Sequence, residues 1–181
     1  MTNLASEFRT AFEYNKLLAE RAAAQLSDEQ LHTALHAETN SVAVIMKHVA
    51  GNLRSRWTDF LTADGEKPWR NRDDEFIDTL TSRSEVLADW QGGWEACLGS
   101  LGRLTADDFS REVTIRGERL SVPLAVGRSL AHCGYHAVQI VLISRILVGD
   151  GWETLTIARG GSQQHNAGAW GRQQYGRAPG A

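Results

Sequence analysis

Apolar residues recur every three or four positions along most of the chain, which is the spacing that places them on one face of an α-helix. This pattern predicts a first helix over roughly residues 3–25, a second over residues 42–60, a third over residues 82–104 and a fourth over residues 123–148. The Ser-x-x-Gln sequence at residues 27–30 matches a helix capping box and predicts one further helical turn.

Residues 109–122 interrupt the helical pattern, because apolar and polar side chains roughly alternate there. Alternation is typical of a strand, so this segment predicts a short β-hairpin that turns at Gly117 and Glu118, or an extended crossover. Four long amphipathic helices with a long connection between the third and the fourth predict an all-α protein with the architecture of a four-helix bundle.

Two features modify this picture of the helices. The fourth helix has few polar breaks over residues 137–148, which predicts a position at the centre of the bundle or in a dimer interface. Gly92 and Gly93 lie in the middle of the third helix, where each costs about 1 kcal/mol relative to alanine. We expect either that a neighbouring helix packs closely there or that the helix bends.

We divide the chain into a bundle over residues 1–158 and a glycine-rich C-terminal tail over residues 159–181. The tail is weakly hydrophobic and carries Arg but no acidic residue. Because such a segment has little apolar surface to bury, we expect it to be extended or mobile.

Charge and composition narrow the functional classes. Lys and Arg number 19 against 22 Asp and Glu, a net charge of −3, so no overall positive field attracts nucleic acid or an anionic membrane. The N-terminus lacks the apolar core of a signal peptide, and no 18-residue run is uninterruptedly apolar. Two cysteines form no disulfide framework. These observations predict a cytoplasmic protein that spans no membrane.

Three histidines form the candidate metal site. His132 and His136 are four residues apart and therefore stack on one face of the fourth helix. His48 lies on the second helix, on a polar line with Asn52 and Arg56 that borders the apolar stripe. Three neutral imidazoles suit Zn²⁺ or Ni²⁺, with Fe and Mn as further options, and would leave a coordination position open.

Asn52, Arg56 and Gln139 are the candidate substrate-binding residues. Arg56 could hold a carboxylate or a phosphate, although an internal salt bridge is an equal alternative. Gln139 lies on the same face as His132 and could reach the site, or could be a core amide bonded to another helix. The sequence assigns no catalytic residue, and we interpret His32 and His36 as surface residues.

Three segments carry a resemblance to a known family: NSVAVIMKHVAGNLRSRWTDFL, DGEKPWRNRDDEF and SLAHCGYHAVQIVLISRIL. Over roughly residues 3–160 the chain resembles the DinB-like superfamily, and more narrowly an uncharacterised bacterial branch of it. The resemblance implies an up-down-down-up four-helix bundle that is often dimeric. It also implies a divalent metal held by His48, His132 and His136.

The same superfamily includes enzymes that use low-molecular-weight bacterial thiols, as well as many proteins with no assigned reaction. The resemblance therefore implies a metal-dependent transfer of a small thiol to an electrophile, or a related metal-dependent hydrolysis. The alternative is a dimeric bundle that binds a metal or a ligand without catalysis. A small molecule and a second copy of the chain are the expected partners, and nucleic acid is not.

Overall fold

The structure, a computed structural model, describes residues 3–164, and this part of the chain is mostly helical. Its main elements are α1 (Leu4–Ala23), α2 (Asp28–Leu31), α3 (Val42–Trp57), α4 (Arg83–Leu101), β1 (Glu112–Ile115), β2 (Glu118–Ser121) and α5 (Val122–Val148). Short 3₁₀ turns cover Asp73–Phe76, Asp107–Ser110 and Gly149–Gly151. The prediction of an all-α protein is confirmed.

A serine is the N-cap residue of α2, α3, α4 and α5. Ser41 and Ser121 each accept a hydrogen bond from the backbone N–H three residues later, which satisfies a donor that the helix leaves unpaired. Ser27 with Gln30, and Ser82 with Glu85, form complete capping boxes. The predicted starts of α2 and α4 are therefore confirmed.

Helix α1 ends at Ala23, two residues before the predicted end, and α3 and α4 each end three residues early. Helix α3 ends at Trp57 rather than residue 60, because the chain turns at Asp59, whose φ is +50°. Phe60 remains buried and stacks on Trp57 with ring centroids 4.6 Å apart, so its place in the hydrophobic pattern reflects the core and not the helix. Helix α4 ends at Leu101 rather than residue 104.

The core lies between two closely packed helix pairs. Helix α3 packs along α4, α1 packs along α5, and α3 also contacts α5. Phe12 of α1 lies edge-on to both Trp57 of α3 and Trp94 of α4, with ring centroids 5.6 and 6.3 Å apart. All three of these aromatic side chains are fully buried, so they join the two pairs across the centre.

Helices α3 and α4 approach each other most closely at Gly93. A Cβ atom added to Gly93 would lie 2.5 Å from the Cα and 2.8 Å from the carbonyl oxygen of Ala50. At Gly92 the nearest neighbour would be a guanidinium nitrogen of Arg54 at 3.5 Å, an ordinary contact. Of the two explanations for the paired glycines, close packing of a neighbouring helix therefore applies at Gly93.

A β-hairpin connects α4 to α5, as one of the two predictions for residues 109–122 proposed. The strands pair antiparallel from Glu112 with Ser121 to Ile115 with Glu118. The turn lies one residue earlier than predicted, at Arg116 and Gly117, whose φ values are +55° and +77°. Two successive positive φ angles are typical of a type I′ turn, which suits the twist of a hairpin.

The loop after α3 holds this hairpin in place. The Asp64 carboxylate accepts hydrogen bonds from the backbone N–H groups of Arg116 and Gly117 at 2.8 and 2.9 Å. The N–H of Gly65 donates to the carbonyl of Thr114 at 2.7 Å. The hairpin is thereby fixed against the end of α3, and the two together border the cavity described below.

Helix α5 carries apolar side chains on its exposed side as well as on its buried side. The exposed α5 stripe consists of five side chains that are each more than half exposed: Leu124, Tyr135, Val138, Leu142 and Ile146. By length and composition alone, Val122–Gly151 could cross a membrane, the one such stretch among residues 3–164. A core helix of a soluble protein meets the same criteria, so this is a weak indication.

The prediction for the C-terminal tail concerns residues 159–181, of which residues 165–181 lie outside the described part of the chain. Before this segment, Leu155 is buried in the core cluster. The carbonyl of Leu155 accepts a hydrogen bond from Arg21 of α1. The segment after α5 is therefore attached to α1 up to this point.

Candidate metal centre

The structure brings together the three histidines that the sequence singled out. His48 comes from α3, and His132 and His136 come from successive turns of α5. One ring nitrogen from each lies within 4.8 Å of the other two, and His48 Nε2 and His132 Nε2 are 3.2 Å apart. His48 is 4% exposed, so the polar line on α3 predicted from the sequence faces inward at this position.

His48 is oriented by a buried carboxylate. Glu75 Oε2 lies 2.9 Å from His48 Nδ1, and Arg70 binds both oxygens of the same carboxylate at 2.7 and 2.8 Å. Burial raises the pKa of Glu75, but the hydrogen bonds from Arg70 and His48 outweigh burial, and the net pKa lies below its usual value. An ionised carboxylate can only accept, so His48 Nδ1 carries a proton, and Nε2 is the nitrogen that faces the other two histidines.

A glycine on α3 makes room for this carboxylate. A Cβ atom added to Gly51 would overlap Glu75 Oε1, and it would lie 2.7 Å from the carboxyl carbon, closer than real Cβ atoms come. Phe76, the next residue, stacks on the His48 ring with centroids 4.6 Å apart. The 3₁₀ turn Asp73–Phe76 therefore holds His48 from two sides.

His136 is oriented in a similar way by its own helix. Gln139 Oε1 lies 2.7 Å from His136 Nδ1, and the Gln139 amide nitrogen donates to the Tyr135 hydroxyl at 3.2 Å. The amide oxygen accepts from Nδ1, which leaves His136 Nε2 free to bind a metal. Gln139, a predicted substrate-binding residue, is thus placed beside His136, and it is absent from the residues that line the adjoining cavity.

His132 has less support than the other two. Its Nε2 lies 3.2 Å from His48 Nε2, so one of these two nitrogens donates a hydrogen bond to the other. His132 Nδ1 is buried and has no hydrogen-bond partner among residues 3–164. A metal bound to both Nε2 atoms would replace this histidine-to-histidine hydrogen bond.

The electrostatic environment keeps the α5 histidines neutral. Burial, followed by repulsion from His136 and His48, lowers the pKa of His132 to about 3. Burial and the charge of His48 lower the pKa of His136 to about 4, against an opposing effect of the Gln139 hydrogen bond. Neutral imidazole is the form that binds a metal ion, so neither residue has to be deprotonated before it binds a metal at pH 7.

The donor set fits a small divalent metal. At a Zn–N distance of about 2.05 Å, two ligand nitrogens of a tetrahedral site lie about 3.3 Å apart. The 3.2 Å between His48 Nε2 and His132 Nε2 agrees with this spacing, and two of the three rings already have an acceptor on the nitrogen that faces away. Cys133 offers no fourth ligand in its present state, because burial raises the pKa of its thiol to about 12.

A cavity of about 220 Å³ adjoins the histidine cluster at His132. Asn52 and Arg56, both predicted as substrate-binding residues, line it. The Arg56 guanidinium also donates to the Gly65 carbonyl and to Glu66 Oε2, so the internal salt bridge considered from the sequence is present. Arg56 therefore borders the cavity with its charge already paired.

Sequence reasoning did not identify Glu75 or Arg128, and it considered Arg70 only as part of a loop that could cover the site or be solvated. Glu75 and Arg70 lie in the loop between α3 and α4, and no periodic pattern marks them. Arg128 lines the cavity one helical turn before His132. The spacing of Arg128, four residues before His132 and eight before His136, was the one available signal that it shares their face.

The Glu75 carboxylate is expected to strengthen metal binding. We expect Glu75→Gln to weaken affinity for Zn²⁺ by about 10- to 100-fold, the usual effect of losing a carboxylate behind a histidine ligand. Competition with a zinc-binding dye measures this directly. Asp73→Asn is the matched control, because it removes the same charge from an exposed position in the same 3₁₀ turn. Equal affinities of the two variants would contradict the role given to Glu75.

The neutral α5 histidines predict acid sensitivity of the metal-free protein. Both stay unprotonated when folded, whereas in the unfolded chain they take up protons near pH 6.5. The unfolded state then binds more protons, so the free energy of unfolding decreases as pH falls from 6.5 towards 4.5. Urea titrations in the presence of a chelator measure this, and the double variant His132→Gln/His136→Gln is expected to show a shallower decrease. An identical slope for wild type and variant would contradict the prediction.

Most of the chain matches the model of one protein family. Residues 2–161 match the model of a family described as "Protein of unknown function (DUF1572)". No curated protein and no solved structure matches the chain. The match covers every helix and strand described above.

Proposed function

The chain belongs to the DUF1572 family, and from this premise we propose that it is a divalent-metal-binding protein with a DinB-like four-helix bundle. In this proposal α1, α3, α4 and α5 run up-down-down-up. Zn²⁺ or Ni²⁺, with Fe and Mn as alternatives, is held by His48, His132 and His136. The convergence of the three ring nitrogens within 4.8 Å is the observation that carries the proposal.

The reaction we propose is transfer of a low-molecular-weight thiol to an electrophile. A bound metal of this kind acts as a Lewis acid and lowers the pKa of a thiol or a water molecule that it binds. Three protein ligands leave room for such a molecule, the pattern of catalytic rather than structural zinc sites. The cavity at His132 supplies space for a substrate, with Asn52 and Arg56 in its wall.

Thiol transfer is favoured over the related hydrolysis by the state of Glu75. Hydrolysis commonly uses a carboxylate as general base beside the activated water. Glu75 is bound by Arg70 through both oxygens and by His48, and its lowered pKa makes it a weak base. A free thiol has a pKa of about 8.5, far below that of water, so a metal-bound thiol releases its proton to solvent at neutral pH with less need of a base.

The exposed α5 stripe supports a homodimer as the working form. Its five apolar side chains repeat at helical spacing on one side of α5, and an exposed apolar face of this kind favours association with a partner surface. We place this protein in the cytoplasm, in keeping with its mildly acidic charge and its buried free thiols, and we propose no nucleic-acid partner.

Metal analysis followed by an activity assay tests the proposal. Untagged protein, purified without chelator and without a nickel column, is expected to contain about one equivalent of Zn, Ni, Fe or Mn by mass spectrometry. The loaded protein is then assayed with small cysteine-containing thiols and an aromatic halide electrophile, beside a chelator-treated sample. Absence of metal after incubation with excess ions would overturn the proposal. Bound metal without turnover of thiol or ester substrates would favour the non-catalytic binding protein.

A further inference from the structure

We propose that the cavity beside His132 binds a small organic carboxylate, with its charged group on Arg128 and its apolar part against Phe60 and Ile115. This inference deepens the proposed function, and rests on it for the reaction that the bound molecule undergoes. Of the residues that line this cavity, only His132 also belongs to the histidine cluster.

Arg128 is the cation in this cavity that remains available. It lies one turn before His132 on α5 and lines the cavity, and it has no ion pair or hydrogen bond with any group in residues 3–164. Arg56, the other arginine in the wall, is occupied by Glu66 and by the Gly65 carbonyl. An incoming anion therefore finds one guanidinium free, and its fork of N–H donors matches a carboxylate.

The surroundings of Arg56 favour an anion as well. Glu66 is shared by Arg56, Arg116 and Arg70, with Arg116 Nε 2.8 Å and an Arg70 guanidinium nitrogen 3.8 Å from its oxygens. Arg70 also pairs with Glu75. Of these groups only Arg56 lines the cavity, and no carboxylate lines it, so the charged side chains in the wall itself are Arg56 and Arg128. The neighbouring Asp59, Asp64 and Lys67 also lie outside the wall.

Most of the remaining wall is apolar. Phe60 and Trp57 stack on one another on the α3 side, and Val113 and Ile115 come from the hairpin. The indole N–H of Trp57 donates to Ser129 at 3.0 Å, so this polar group is already paired. Such a wall suits the hydrocarbon part of a ligand and offers no polar partner to a second charged group.

The size and charge of the site set the class of ligand. The volume of about 220 Å³ lies below the range of about 300–1,000 Å³ that is typical of drug-sized ligands, which indicates a small molecule. One free guanidinium balances a monoanion, which favours a carboxylate over a phosphate dianion. The Asn52 side chain also lines the cavity and has no hydrogen bond within the described residues, so it adds an uncharged donor.

Calorimetric titration with two matched compounds tests the proposal. The probes are 3-phenylpropionate and the neutral alcohol 3-phenylpropanol, each titrated into metal-free and zinc-loaded full-length protein. We expect the carboxylate to bind at least tenfold more tightly than the alcohol in both forms. Arg128→Gln is expected to weaken the carboxylate by about 10- to 100-fold, the range for loss of a charged hydrogen bond, and to leave the alcohol unchanged.

Arg128→Lys and Arg103→Gln are the control variants. Lysine keeps the charge without the fork and is expected to retain part of the affinity. Arg103→Gln removes the same charge from an exposed position after α4 and is expected to change nothing. Equal binding of the two probes, or an unchanged carboxylate affinity in Arg128→Gln, would overturn the inference.

The metal-free arm separates this inference from the proposed function. Carboxylate binding that depends on Arg128 in a protein that takes up no metal would support the inference and overturn the metal proposal. One bound metal together with equal binding of both probes would do the reverse. Thermal unfolding of each variant confirms that the exposed Arg128 has been changed without loss of the fold.

Discussion

Replacing His132 with alanine is expected to abolish stoichiometric binding of Zn²⁺. The variant keeps two of the three proposed ligands, and those two nitrogens come from different helices. Changing a residue behind a metal ligand already costs about 10- to 100-fold in affinity, so loss of a ligand itself is expected to exceed about 100-fold. Equilibrium dialysis followed by mass spectrometry of the metal measures the loss.

His48→Ala is expected to give the same result from the α3 side. His36→Ala is the matched control, because His36 lies on the exposed segment between α2 and α3. His32 is less suitable as a control, since its Nδ1 pairs with Asp78 at 2.9 Å and its other nitrogen is buried. Retention of one metal equivalent by both His132→Ala and His48→Ala would refute the three-histidine site.

Gly93→Ala is expected to destabilise the protein by about 3 kcal/mol or more, the upper part of the range for overpacking a core. The added Cβ meets backbone atoms of Ala50, which cannot rotate away as a side chain can. Helices α3 and α4 therefore have to separate, and the aromatic contacts among Phe12, Trp57 and Trp94 separate with them. Urea denaturation followed by tryptophan fluorescence measures the change in free energy of unfolding.

Gly92→Ala, one residue earlier, is expected to have the opposite effect. Its Cβ meets one guanidinium nitrogen at 3.5 Å and no backbone, so the gain in helix propensity of about 1 kcal/mol is retained. Comparison of these neighbouring substitutions separates close packing from helix propensity. Stabilisation by both substitutions would contradict the close approach of α3 and α4 at Gly93 and Ala50.

The sequence allowed the histidine cluster to be predicted because helical periodicity carries positional information. Residues four apart share a helix face, so His132 and His136 had to stack wherever α5 lay. His48 required a second inference, that its polar line borders the core. Glu75 was beyond this reasoning, since it reaches His48 from an irregular loop 27 residues later, where no period relates position to direction.

The same limit explains the differences in the fold. The helices and the hairpin follow from hydrophobic periods, whereas their ends depend on single backbone angles. The turn at Arg116 is stabilised by the side chain of Asp64, a residue 52 positions away. Likewise, Phe60 continues the apolar spacing of α3 although the helix has already ended at Trp57. The local sequence pattern indicates neither the hydrogen bond that Asp64 accepts from this turn nor the stacking of Phe60 on Trp57 beyond the end of α3.

The contact between His48 and His132 also joins two positions that are 84 residues apart along the chain. An ion held there would act as a reversible cross-link between the helix pair α3–α4 and the helix pair α1–α5. Because the unfolded chain keeps no such arrangement, each tenfold rise in free metal above the dissociation constant adds about 1.4 kcal/mol to stability. The amount of folded protein in a cell would then follow the supply of that metal.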